Sequence, residues 1–158
     1  MHFFGSKHEM FVSAMQLPID PSRFITELSQ PGIDGLGDRV VRRFIGVWDS
    51  PEGRHLVGLF RSVVSHDTAA TLMREFFTHA ILGRVARSFD VDQPRRRASL
   101  VASQLFGLAF VRYVLKLEPI SSASAEDLAA WVGPTVQRYF TTDLRALGVP
   151  SGRARARS

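Results

Sequence analysis

The chain has 158 residues, 45% hydrophobic and 22% charged, enough apolar side chain for one real core and a balance that excludes disorder over most of its length. It contains no cysteine, which excludes disulfides, thiolate nucleophiles and cysteine-ligated zinc or iron–sulfur sites. The formal charge of +5 is partly a tail effect, since removing Arg153, Arg155 and Arg157 from the count leaves +2. The body is only mildly basic, and residues 148–158 read as a disordered basic tail with no more than weak phosphate contact.

The predicted elements are almost all helical. Ser6-Lys7-His8-Glu9 is a capping-box pattern opening a helix with Met10, Phe11, Ala14 and Met15 apolar, which stops before Pro18. Asp20 and Pro21 start the next one as N-cap and first residue, with Phe24, Ile25 and Leu28 on its buried side. The turn cluster Pro31-Gly32-Ile33-Asp34-Gly35 precedes a helix carrying Leu36, Val40, Val41, Phe44, Ile45 and Trp48 at helical intervals. Ser50-Pro51-Glu52 closes that helix and is expected to cap the next, whose apolar face is Leu56, Val57, Leu59, Phe60, Val63 and Val64. After Ser65-His66-Asp67 one longer helix is expected, with Leu72, Met73, Phe76, Phe77, Ile81, Leu82, Val85 and Phe89.

Residues 98–117 form the stretch around which the rest is organised. Leu100, Val101, Leu105, Leu108, Val111, Val114 and Leu115 recur at helical spacing, and Phe106, Ala109 and Phe110 fill most of the remaining circumference. A helix apolar nearly all round must be covered on several sides, by its own domain and by a second subunit. It ends at Glu118-Pro119. A second capping box at Ser124-Ala125-Glu126-Asp127 opens a companion helix with the stripe Leu128, Trp131, Val132, Thr135, Val136, Tyr139 and Phe140. These two helices are read as the dimer face of a homodimer, through Leu105, Leu108, Arg112, Leu128, Trp131, Val132, Val136 and Tyr139. Ser99, Ser103, Gln104 and Arg112 interrupt the apolar run, so no membrane span is expected. No secretory leader is visible, and a cytoplasmic location is expected.

No period-2 strand and no internal repeat is present, so the fold class is all-α, a bundle of six to seven helices. The five histidines show neither His-Glu-x-x-His nor Glu-x-x-His spacing, so no metal is expected. The Gly-x-Ser-x-Gly elbow and the glycine-rich phosphate loop are both missing. Glu9, Asp20, Glu52, Asp67, Glu126 and Asp127 stand at helix starts, where capping and the macrodipole account for them. Neither an enzyme nor a cofactor is expected. What stands out is twelve phenylalanines with a few polar groups among them. A ligand cavity is usually apolar with a few placed polar groups. The candidate lining is Phe60, Arg61, Phe76, Phe77, His79, Gln104, Phe106, Phe110 and Tyr113; the alternative is that the rings simply fill a core.

Two stretches carry a family resemblance. His2-Phe3-Phe4-Gly5-Ser6-Lys7-His8-Glu9-Met10-Phe11 resembles the aromatic pair, small cap, lysine and acidic residue that end the DNA-reading unit of the TetR family of bacterial transcriptional regulators. The run from Asp38-Arg39-Val40-Val41-Arg42-Arg43-Phe44 through Ser50-Pro51-Glu52 and residues 100–119 to Trp131-Val132-Gly133-Pro134-Thr135-Val136-Gln137-Arg138-Tyr139 resembles the regulatory body of that family. The resemblance implies a TetR-like C-terminal helical body whose last two long helices pair as a four-helix dimer interface. Gly107 and Gly133 would allow close backbone approach there, or are merely tolerated. It also implies residues 1–16 as the remnant of a DNA-binding head with its connecting helix, and 17–147 as the ligand-binding and dimerisation domain. Lys7 matches the position that touches a backbone phosphate.

By the family's layout about forty residues of helix-turn-helix head precede His2. The chain is therefore expected to bind a small apolar effector and dimerise while contacting DNA only through a head it largely lacks. A misassigned start, a truncation and a degenerate gene all stay open as explanations. The implied function is a probable repressor in which effector binding travels through the Ser6–Met15 helix to the DNA heads. The alternative is a helical protein–protein interaction module with no small-molecule ligand.

Overall fold

A computed structural model describes residues 20–146. It begins where the sequence places a cap: the Asp20 carboxylate accepts from the Ser22 and Arg23 amides at 3.1 and 3.5 Å and opens α1 (Pro21–Ser29). The turn after it needs left-handed backbone at Gly32 (φ 94) and Gly35 (φ 73), where a side chain would be strained. Arg39 ties this turn together by donating to the carbonyls of Leu28, Gly32 and Asp34. Helix α2 (Leu36–Asp49) then buries Leu36, Val40, Val41, Phe44, Ile45 and Trp48, the stripe read from the sequence.

The next junction differs from expectation. Helix α3 spans Gly53–Ser65, and the side chain of Glu52 caps nothing. Ser50 serves the end of α2 instead, its hydroxyl donating to the Val47 carbonyl at 2.6 Å. The last carbonyls of a helix lack partners, and a hydroxyl beside them donates rather than accepts. The long helix expected after residue 66 is a rod with a widened middle: α4 (Asp67–Glu75), a π-helical segment over Phe76–Leu82, and α5 (Gly83–Ser88). Widening to i→i+5 bonding changes the angular spacing of side chains from that of an α-helix. In this segment Phe76, Ile81 and Leu82 are buried, and Phe77 is half-buried.

Helix α6 (Pro94–Ala109) continues into a second π segment, Phe110–Val114, and the Glu118–Pro119 peptide that follows is cis. Helix α7 (Ala125–Thr141) opens with the Ser124 hydroxyl accepting from the Asp127 amide at 3.0 Å. Seven α-helices and no strand are found among the described residues.

Helix α2 crosses α7 at close backbone approach. A Cβ on Gly37 would stand 2.3 Å from the Gly133 carbonyl oxygen and 2.6 Å from the Gln137 nitrogen. Gln137 closes the seam, its Oε1 accepting from the Gly37 amide at 2.6 Å while Nε2 donates to the Ile33 carbonyl at 2.9 Å. This crossing sets which side of α7 is inward: Leu128, Ala129, Gly133, Val136 and Phe140 are buried, while Trp131, expected in the stripe, is 52% exposed. Gly133 thus serves a close approach within one chain, whereas a Cβ on Gly107 would meet nothing. At the far end of α7, the buried Arg97 donates to the carbonyls of Asp92, Tyr139 and Thr142 and to the Asp92 carboxylate at 2.6 Å. That carboxylate is held below its ordinary pKa, chiefly by this hydrogen bond.

Candidate functional site

On the other side of α2 the packing is made of rings. Trp48 stands at its centre, 5.5 Å from Phe44, edge-on to Phe60 at 5.8 Å and stacked on Tyr113 at 5.2 Å. Phe60 stacks on Phe106 at 6.0 Å and meets Phe110 at 6.4 Å. Phe106 is met edge-on by Phe77 at 4.9 Å, and Phe77 in turn by Phe76 at 5.2 Å. These separations lie in the range where offset and T-shaped aromatic pairs are favourable.

Within this cluster lies an apolar slot of about 40 Å³, walled by Phe24, Phe44, Val47, Trp48, Leu56, Phe76, Phe77 and Ile81. Helices α1, α2 and α3 and the first π segment each contribute a wall. Phe24 and Val47 also wall a wider charged cleft of about 500 Å³ beside it. There Glu27 accepts from Arg23 at 3.0 Å and from Arg43 at 2.5 Å, and the Arg43 guanidinium sits 5.4 Å from the Phe24 ring centre.

Of the candidate lining read from the sequence, only Phe76 and Phe77 wall the slot; Phe60, Phe106 and Phe110 belong to the ring cluster behind it. Gln104 is half-buried on α6 and does not line the slot. Arg61 and Tyr113 line a separate groove of about 580 Å³. The side chain of His79 lies outside the described residues, as does Lys7. Phe24, Phe44, Trp48, Leu56 and Ile81 were read only as core, and Val47 was not singled out. Their aromatic and branched character on four converging elements was the available signal.

Asp49 was missed altogether. Tyr113 donates to its carboxylate at 2.6 Å and Arg112 at 3.0 Å, while Arg112 also donates to the Ile120 and Ala123 carbonyls at 2.7 and 2.8 Å. Burial and then the Asp49 carboxylate push the Tyr113 phenol well above its ordinary pKa, so it stays a donor. Burial opposes the Arg112 charge, but Asp49 outweighs it and raises the pKa. An acid in the last turn of a helix opposes the macrodipole, and that mismatch was a readable hint of cationic partners.

Comparison with known proteins bears on what such a body is. The sequence matches the family described as tetracyclin repressor-like, C-terminal domain, over residues 34–140, more than half of the chain. The chain belongs to the TetR family. Its structure is similar to the crystal structure of a TetR-family regulator from Streptomyces coelicolor A3, with 35% sequence identity and a TM-score of 0.55, covering 90% of this chain and 95% of that one. No curated protein matches it.

In this TetR-family body the residues read as a dimer face divide into three groups. Leu105, Leu108, Leu128 and Val136 are buried within the single chain. Arg112 is held by Asp49 and two carbonyls of its own chain. Trp131 is exposed, and Val132 and Tyr139 are half-exposed on the same helix. Among the described residues no cluster of three or more His, Asp or Glu could hold a metal, and no helix is long and apolar enough to cross a membrane. The segments 1–16 and 148–158, with the Ser6 capping box, lie outside the described residues.

Proposed function

We propose that the chain is the effector-sensing, homodimer-forming body of a cytoplasmic TetR-family repressor and has no enzymatic activity. The observation that carries this reading is the ring-walled slot between α1, α2, α3 and the first π segment. Its walls are apolar, which suits a small apolar effector. At about 40 Å³ it has room for little more than solvent, so an effector must open it. The π segment supplies the irregular backbone at which such a shift is easiest, and Phe76 and Phe77 sit on it. Movement there biases helices packed against α1, and α1 follows the segment that the family resemblance assigns to the connecting helix. DNA recognition and repression belong in this reading to the head, with Lys7 as a phosphate contact.

The dimer in this reading uses the exposed side of α7, with Trp131 at its centre beside Val132 and Tyr139. The small size of the slot favours a second reading, a helical interaction module without an effector. Thermal melts with indole, 2-naphthol and decanol separate the two. An effector near 100-fold over its Kd stabilises by about 2.7 kcal/mol, a rise in Tm of roughly 5–10 °C for a chain of this size. No rise with any apolar compound, together with capture of a protein partner, would establish the second reading instead.

A further inference from the structure

The charged groups that the slot does not use converge at the end of α6. On α3, Arg54, Val57 and Arg61 fall at i, i+3 and i+7, one face of the helix. That face borders Arg112, Tyr113, Lys116, Glu118 and Ser121, and together they line an open groove of about 580 Å³. The floor is fixed by the bonds of Arg112 and Tyr113 to Asp49. The rim is not: the side chains of Arg54, Arg61 and Lys116 make no hydrogen bond or ion pair with any other described residue. Lys116 is also held in left-handed backbone (φ 53), uncommon for a residue with a side chain. The groove's one carboxylate, Glu118, is turned to the Ser121 and Ser122 hydroxyls.

The cleft beside the slot makes the contrast. It is of similar size, but its Arg23 and Arg43 are both matched by Glu27, with Asp20 and Glu52 nearby. In the groove, Arg54, Arg61 and Lys116 exceed the one lining carboxylate, Glu118, and none of the three is paired with it, an excess of positive charge that an anionic ligand relieves. Arginine forks suit oxygens of carboxylate and phosphoryl groups, and the volume is that of a small-molecule site.

We propose that this groove binds a small polyanion, a ligand bearing two or more carboxylate or phosphoryl oxygens, held by Arg54, Arg61 and Lys116 above the Arg112–Tyr113 floor. The Tyr113 ring stacks on Trp48, which also walls the slot, so occupancy of the groove reaches the aromatic cluster.

The test titrates the full chain with sodium pyrophosphate and, separately, with citrate at constant ionic strength, read by calorimetry and by tryptophan fluorescence in Trp131→Phe, which leaves Trp48 as the sole tryptophan. Saturable binding of at least one anion is expected, weakened at least about tenfold in Arg54→Ala/Arg61→Ala and unchanged in Arg95→Ala/Arg96→Ala. Saturation by pyrophosphate alone assigns a phosphoryl ligand, and by citrate alone a carboxylate ligand. Should the double variant melt early by circular dichroism, Lys116→Ala carries the same comparison. Absence of saturable heat with both anions, or saturation that the groove variants leave untouched, overturns the proposal.

Discussion

Where α2 crosses α7, backbone meets backbone; where α2 faces α3 and the π segment, rings meet rings. The first contact rests on the absence of side chains at Gly37 and Gly133 and on Gln137 bridging two loops of backbone. It has one geometry, because a helix backbone cannot be compressed. The second is a set of aromatic contacts among Phe60, Phe77 and Phe106, with a slot between Trp48 and Phe76, and rings can tilt and slide with small losses. A sensor needs both: a frame that holds the subunit, and a side that yields to a guest.

Breaking the frame has the largest effect. Gly37→Ala drives a methyl into the Gly133 carbonyl and the α7 backbone, and equilibrium denaturation should show a loss of about 3 kcal/mol. Truncating the yielding side costs less, since Phe77 is only partly buried: Phe77→Ala should lose about 2 kcal/mol. The same change widens the slot, so indole should raise the melting temperature of Phe77→Ala more than that of the unaltered chain. Gly107, whose Cβ would meet nothing, sharpens the contrast from the opposite direction. Gly107→Ala should stabilise by about 0.5–1 kcal/mol through helix propensity alone, measured in the same denaturation series.

The smallest effect is acid dependence at the frame's edge. The Asp92 carboxylate, bonded to buried Arg97, has a folded pKa below its unfolded one. Its contribution is therefore fully present above the ordinary aspartate range and lost as pH falls through the lower folded value. Asp92→Asn should flatten that acid limb in pH-dependent melts by lowering stability slightly at neutral pH while leaving low pH unchanged, a small effect because Asp92 itself is mostly solvent-exposed.

Much of this architecture is legible in the residues. Asp20 and Ser124 announce their helices because capping is a local matter of a side-chain oxygen and an amide two or three residues on. The α2 stripe is legible because one face of that helix meets a continuous core. The inward side of α7 is not. Hydrophobicity ranks Trp131 above Gly133, whereas a backbone crossing selects the residue with nothing to remove. The π segments are illegible because their wider turn shifts the period on which the reading rests, and no residue type in them announces it. For the site, phenylalanine richness pointed to the right neighbourhood. It did not separate the rings that wall the slot from those that back it, nor place Arg61 and Tyr113 in a different groove.

The most direct test of the stiff frame and yielding side is native-state amide hydrogen exchange on the full chain, compared between residues 36–45 with 128–140 and the π segment at 76–82. The frame amides should exchange only through global unfolding, while the π-segment amides open at a clearly lower free energy and become protected when an apolar compound raises the melting temperature. Equal protection of the two regions in the free protein would contradict the account.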